Sequence, residues 1–360
     1  MSKKAKKRIL FNLYSNNLSD FKTNLKSNNI IPTEFGLYCP LCTEHYDEIK
    51  YEQLTLEHNP PRSLGGKDNI LTCKNCNNSS GSKIDSEILL ALNEIDLMGF
   101  KPNASLKTRL HNQSTGEKGV NAIVNLDSEG KFIVNISPAN NPIVKDAFLN
   151  SFEYEYNSGL PLISNFESAG ISKKLSFEFK KPNKRNERLA SIGLLKIAYL
   201  IGFEKLGHAF LFGKYMELIR SQIKQPEKEI INKPFWIHNN YSDDLLGVNI
   251  ITKPKELKSF LIVFDLKTKS DSYRIGICIP GYDENDINIY NNIESLLCQG
   301  EGDIEVETNS YLNKEFNTQV TQGDEKQDSS RLDIANIIAS LCCTEMEVER
   351  QNETGVWEKV

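Results

Sequence analysis

The sequence predicts an α+β fold, with a small cysteine-stapled unit ahead of a larger mixed α+β domain, on three observations. Four cysteines form two C-x2-C pairs, Cys39/Cys42 and Cys73/Cys76, separated by thirty residues. On either side of these pairs, residues 9–25 and 76–95 carry apolar side chains at helical spacing. Beyond Gly99, short runs rich in Ile, Val, Leu and Phe are punctuated by turn residues and by two further helical stretches.

In the first segment, Leu10, Leu13, Tyr14, Leu18, Phe21 and Leu25 fit a helix that Asn28, Asn29 and Pro32 end. A basic tail precedes it, with Lys3, Lys4, Lys6, Lys7 and Arg8. After the cysteine unit, the helix from Cys76 through Ile95 turns Leu89, Leu90, Leu92 and Ile95 to one face. Residues 120–125 and 131–137 read as a hairpin around Asp127, Ser128 and Gly130, and 174–179 as another strand. Two helical stretches, 187–201 and 207–223, are joined by a turn near Phe203 to Leu206. Strand character returns at 246–251, 257–265, 273–279 and 303–307. Residues 319–330 are polar, and 332–346 suit a terminal helix. The expected division is a tail and helix (1–31), the cysteine unit (32–98), an α+β domain (99–318), and a polar linker with a C-terminal helix (319–360).

Composition narrows the function classes. No run of about 18 uncharged apolar residues occurs, which argues against a membrane span. The basic start lacks the apolar stretch of a secretory signal, so a cytoplasmic location is expected, and cysteines there serve metals before disulfides. The net charge of −5 hides an asymmetry: residues 1–85 hold twelve Lys/Arg against nine Asp/Glu, so the acidic excess lies in the remainder. The cysteine unit can therefore meet phosphate, whereas the acidic remainder suits protein contact or regulation better than a broad DNA surface.

Two C-x2-C knuckles present four thiolates, a complete tetrahedral shell for a structural Zn²⁺. With four cysteines at hand, His45 is left out of the ligand set. The insert between the knuckles, Leu54 to Cys73, reads as strand, loop and second strand. Pro60 and Pro61 stop the first strand just after Glu57 and His58. Adjacent strand residues point to opposite faces, so Glu57 and His58 share a site only if the strand frays there. Gly65 and Gly66 permit a tight loop, Asn69 lies on the way back, and Asn77 follows Cys76 directly.

These residues, Glu57-His58-x-Pro60, Arg62-Ser-Leu-Gly-Gly-Lys67, Asn69 and Cys73-x-x-Cys76-Asn77, resemble the HNH endonucleases of ββα-metal fold, most of all the branch described as HNH family 5. The resemblance covers roughly residues 39–85. It implies a metal-dependent endonuclease in which His58 is the general base and Asn69 orients it. Glu57 and Asn77 would ligate one catalytic divalent ion, Mg²⁺ or Mn²⁺, with Asn78 as the alternative to Asn77. Glu stands in the slot where Asp is common. The expected products are 5′-phosphate and 3′-hydroxyl ends, and a role in prokaryotic defence against phage is a further implication.

The chemistry of those residue types agrees. Imidazole, with an ordinary pKa of about 6.5, can accept a proton from water once a neighbour fixes its orientation. A carboxylate and an amide oxygen are hard ligands suited to Mg²⁺ or Mn²⁺. Arg62, Lys67, Lys74 and Lys83 are the candidate phosphate contacts, with the basic tail adding diffuse attraction. DNA is the expected partner and RNA an alternative substrate. A zinc-stabilised binding module that does not cleave is the rival reading, and the C-terminal domain is a candidate surface for a regulatory protein partner.

Overall fold

The computed structural model describes residues 1–25, 35–80, 84–99, 101–111, 118–129, 131–156, 178–180, 186–213, 215–231, 241–281, 289–290, 305–308, 349–351 and 357–359. The polar segment 319–330 and the terminal helix expected at 332–346 lie outside the described residues.

The fold is mixed α+β, built of small antiparallel sheets and helices. It divides into two compact units: residues 1–88, 187–267 and 272–360 form the first, and 89–186 with 268–271 the second. The stretch 99–318, expected as one domain, thus contributes to both units. The segment from residue 187 to 267 falls in the same unit as residues 1–88, which hold the four cysteines.

In the first unit, α1 spans Lys3–Leu25, so the basic residues expected in a tail stand on a helix. Three of them are engaged at once: Lys6 with Asp68, Lys7 over the Tyr51 ring, and Arg8 with Glu48. Two short strands, β1 (Leu37–Tyr38) and β2 (His45–Tyr46), pair around the first knuckle. β3 (Leu54–Asn59) and β4 (Lys67–Cys73) form an antiparallel hairpin, and α2 (Lys74–Ser80) begins directly after it. Of the helix expected over 76–95, the described residues give α2 and α3 (Ser86–Met98), on either side of residues 81–83, which lie outside the described residues.

The core of this unit is α5, Glu187–Leu211, whose residues from Ala190 to Phe203 are almost all buried. Tyr14 of α1 stacks on its Phe203 at 4.8 Å between ring centroids. The expected turn at 203–206 is absent because the helix runs on. It breaks at Gly207 (φ 64°), where a side chain would strike Asn17 and where Asn17 Oδ1 accepts from the His208 N–H at 2.8 Å. α6 follows at Met216–Lys224. A four-stranded antiparallel sheet, in the order β11-β10-β9-β12, packs against α5. It comprises β9 (Gly247–Lys253), β10 (Ser259–Lys267), β11 (Ser272–Ile279) and β12 (Glu305–Thr308). The central strand Ser-Phe-Leu-Ile-Val-Phe is buried on both faces, which is why it reads as a continuous apolar run.

In the second unit, β5 (Ser105–His111), β6 (Val120–Leu126), β7 (Phe132–Ile136) and β8 (Glu178–Lys180) form an antiparallel sheet in the order β7-β6-β5-β8. β6 alternates buried and exposed residues, placing Val120, Ala122, Val124 and Leu126 in a core with Leu97, Leu110 and Phe148. Phe148 comes from α4 (Pro142–Tyr156), a helix that the sequence reading does not include.

Candidate functional site

The two knuckles come together. Sγ atoms of Cys39, Cys42, Cys73 and Cys76 all lie within 4.8 Å of one another, and Cys42 and Cys73 are 3.8 Å apart. Four sulfurs at zinc's bond length of about 2.3 Å stand about 3.8 Å apart in a tetrahedron, so the four thiols fit that ion. Backbone amides point at the sulfurs, from Cys73 to Cys39 Sγ and from Cys76 to Cys73 Sγ, both at 3.4 Å. Contact among the thiols draws Cys42 down to about 7, led by its bond with Cys39, and pushes the Cys39 and Cys76 thiols up. His45 is not among the four; it packs on the Tyr38 ring.

The first knuckle is braced from behind. Tyr199 of α5 donates its hydroxyl to the Pro40 carbonyl at 2.7 Å, fully out of solvent. The same turn of α5 holds the end of β3: the Ile197 carbonyl accepts from Asn59 Nδ2 at 3.0 Å, and Lys196 Nζ donates to Glu57 Oε1 at 2.9 Å.

The β3–β4 hairpin runs in register from Leu54 opposite Cys73 to Glu57 opposite Ile70, then shifts so that Asn59 meets Lys67. His58 sits in that irregularity, half-buried, and makes no hydrogen bond to another described residue. The strand continues one residue past His58, further than the two prolines suggested. At the tip, Gly65 adopts φ 87°, and a side chain at Gly66 would run into the Pro60 carbonyl, which accounts for the paired glycines. On the far side, Asn77 of α2 donates to the Leu56 carbonyl at 3.3 Å and ties the helix to β3.

Glu57 and Asn59 both face α5, with His58 between them. Alternation along the strand is thus kept, and Glu57 points away from the side that His58 takes. Lys196 also reaches Asp85, at 3.2 Å and 3.3 Å from its two oxygens. Burial lifts the Glu57 and Asp85 carboxyls above their ordinary values against the pull of Lys196. Burial alone would lower the Lys196 pKa, but Glu57 and Asp85 outweigh it and raise it.

Asn69, expected to orient His58, has other partners. Its Oδ1 accepts from Lys6 Nζ at 3.1 Å, and its Nδ2 faces Glu204 Oε1 at 3.5 Å. Asp68, beside it, accepts from Lys6 Nζ at 2.8 Å, which holds its carboxyl below the ordinary value. Arg62, Lys67 and Lys74 are exposed around the hairpin and helix, as is Asn78 on α2, while Lys83 lies outside the described residues.

For a hard divalent ion the donor types suit, and Glu57 Oε2 is buried without a hydrogen-bond partner among the described residues. Against that, the positive charge beside Glu57 is already supplied by Lys196. Lys196, Asp85 and Asp68 are members of the site that the sequence did not single out, and Lys6, expected to add diffuse attraction from the tail, is held by Asp68 and Asn69. Lys196 had a signal, being the one charged residue between Leu189 and Phe203.

Among the described residues, no helix is long and apolar enough to cross a membrane. No protein-family model, no curated protein and no solved structure matches this chain.

Proposed function

We propose that the chain is a nucleic-acid phosphodiester hydrolase of HNH type, with DNA as its first substrate, working from the β3–β4–α2 hairpin and helix. The observation that carries this reading is the seating of His58 in the irregular end of β3, on a hairpin whose other end joins four clustered cysteines. Zn²⁺ on those cysteines would fix the start of α2, and with it Asn77, against the strand that bears Glu57 and His58.

In this reading His58 takes the proton from the attacking water, since its imidazole is half-buried and makes no hydrogen bond to another described residue. Arg62, Lys67 and Lys74, all exposed, hold the phosphate backbone. Glu57 and Asn77 would hold Mg²⁺ or Mn²⁺ once the Glu57 carboxylate leaves Lys196 and turns to the side that His58 takes; the ion, when bound, would polarise the phosphate and steady the charge that develops on it.

Supercoiled plasmid with Mg²⁺ tests the assignment. Wild type should nick or cut it, EDTA should stop the reaction, and His58→Ala should slow it by about 10²- to 10⁴-fold. Equal cleavage by wild type and His58→Ala would remove His58 from the chemistry. Running a single-stranded RNA in parallel decides between DNA and RNA.

A second reading draws on the Lys196 contact. With Glu57 neutralised by an internal ammonium, the module would bind nucleic acid or protein without cutting. Salt-sensitive DNA binding with no cleavage in Mg²⁺ or Mn²⁺ favours it.

A further inference from the structure

Lys196 stands alone as a charge in the apolar run of α5 from Leu189 to Phe203, and only 1% of it is exposed. Its ammonium meets two carboxylates from separate elements: Glu57 near the end of β3 at 2.9 Å, and Asp85, just ahead of α3, at 3.2 Å and 3.3 Å. With all three ionised, one positive charge faces two negative ones, and Glu57 Oε2 is left without a hydrogen-bond partner among the described residues. A buried carboxylate in that condition still favours more positive charge.

We propose that Glu57 and Asp85 form one carboxylate pair for a divalent cation, and that the Lys196 ammonium is the internal cation with which that ion competes. The inference rests on the reading of Glu57 as an ion ligand. It adds Asp85 as a ligand and gives Lys196 a definite effect on the site. An ammonium at contact distance repels a divalent ion strongly where solvent is excluded, so ion binding requires Lys196 to swing away or be removed. An ion pair that serves only to hold α5 on β3 would have no such antagonism.

The test uses the full-length, zinc-loaded chain and reads free Mn²⁺ by electron paramagnetic resonance. Lys196→Met should bind Mn²⁺ more tightly than wild type by at least about tenfold, while Lys196→Arg, which keeps the cation, should stay at the wild-type level. Adding Glu57→Gln to Lys196→Met should abolish the gain. Equal affinity in wild type and Lys196→Met, or a gain that survives Glu57→Gln, overturns the proposal. Should Lys196→Met fail to fold by circular dichroism, wild type supplies the measurement. Lys196 should resist acylation by acetic anhydride without Mn²⁺ and become modified when Mn²⁺ saturates, and protection that does not change overturns the proposal. Both readouts follow ion occupancy, so their failure is separate from failure of the nuclease reading, which His58→Ala tests.

Discussion

Lys196 Nζ lies 2.9 Å from Glu57 Oε1, with 2% and 3% of the two side chains exposed. A pair so fully removed from water contributes little net stability as a pair, but breaking it strands a charge. Lys196→Ala should therefore cost about 3–5 kcal/mol, because Glu57 and Asp85 lose their cation. The double replacement Lys196→Met with Glu57→Gln should recover part of that loss, since only Asp85 is then left without its cation. Urea unfolding monitored by circular dichroism measures both; a single variant as stable as wild type would show that the pair is not closed in solution.

The clustered cysteines lead to a metal prediction. Purified protein should carry one zinc per chain by mass spectrometry, and Cys73→Ser should lose it, since Cys73 is both one of the four clustered thiols and the last residue of β4. Because zinc binding and folding of such a unit are coupled, a strong chelator should also lower the unfolding temperature of wild type. A protein that holds no zinc, or holds it equally in Cys73→Ser, contradicts the assignment.

Tyr199 transmits the position of α5 to the first knuckle through its bond to the Pro40 carbonyl. Removing only the hydroxyl, in Tyr199→Phe, leaves that buried carbonyl without its donor and should cost about 1–3 kcal/mol. Zinc release to a colorimetric chelator should quicken in the same variant. Unchanged stability together with unchanged release would mean that the knuckle stands without the brace.

Much of the cysteine unit was legible from spacing. Two C-x2-C pairs forecast which four thiols cluster, and the Gly65-Gly66 pair announces a tight loop, with a positive φ at the first and no room for a side chain at the second. The partners supplied by distant segments were not legible. Nothing near Glu57 in sequence forecasts Lys196, 139 residues away, and Asn69 gives no hint that Lys6 and Glu204 take its amide. Local pattern reports on helix faces and turns, whereas the pairing of a buried carboxylate is decided by whichever element packs over it. The domain boundary was misplaced for the same reason: α5 is a well-formed helix by itself, and only its packing shows that it belongs with the cysteine unit.

Arg62 and Lys67 flank the hairpin tip and are exposed, so their contribution should be to phosphate binding and not to stability. If they contact the backbone of DNA, each replacement by Ala should weaken binding alike for unrelated sequences. Each should also lower the steepness of log K against log salt by about one. Fluorescence anisotropy with two unrelated duplexes at several salt concentrations reads both effects. An unchanged salt slope would move the phosphate path elsewhere.

Lys6 and Asp68 join α1 to β4 at 2.8 Å, both only partly exposed. The hydrogen bond from Lys6 holds the Asp68 carboxyl below its ordinary value, against a smaller opposing effect of burial. A carboxyl with a depressed folded pKa adds stability above its unfolded value of about 3.9, and that stability fades as pH falls toward the folded value. Lys6→Met should thus be less stable than wild type at pH 7 by about 0.5–1 kcal/mol, the range for a solvent-accessible pair of good geometry. The difference should shrink as pH falls below about 4, once Asp68 takes up a proton in both proteins. Lys6 also donates to Asn69 Oδ1, a neutral acceptor, so a remnant of the difference should persist in acid. Urea midpoints of the two proteins at pH 7 and pH 3 decide it. Acid would strip any thiolate-bound zinc from both chains alike, so the quantity to read is the gap between variant and wild type. A gap that stays constant or widens on acidification would assign the effect of Lys6 to its packing on the hairpin and not to the charge of Asp68.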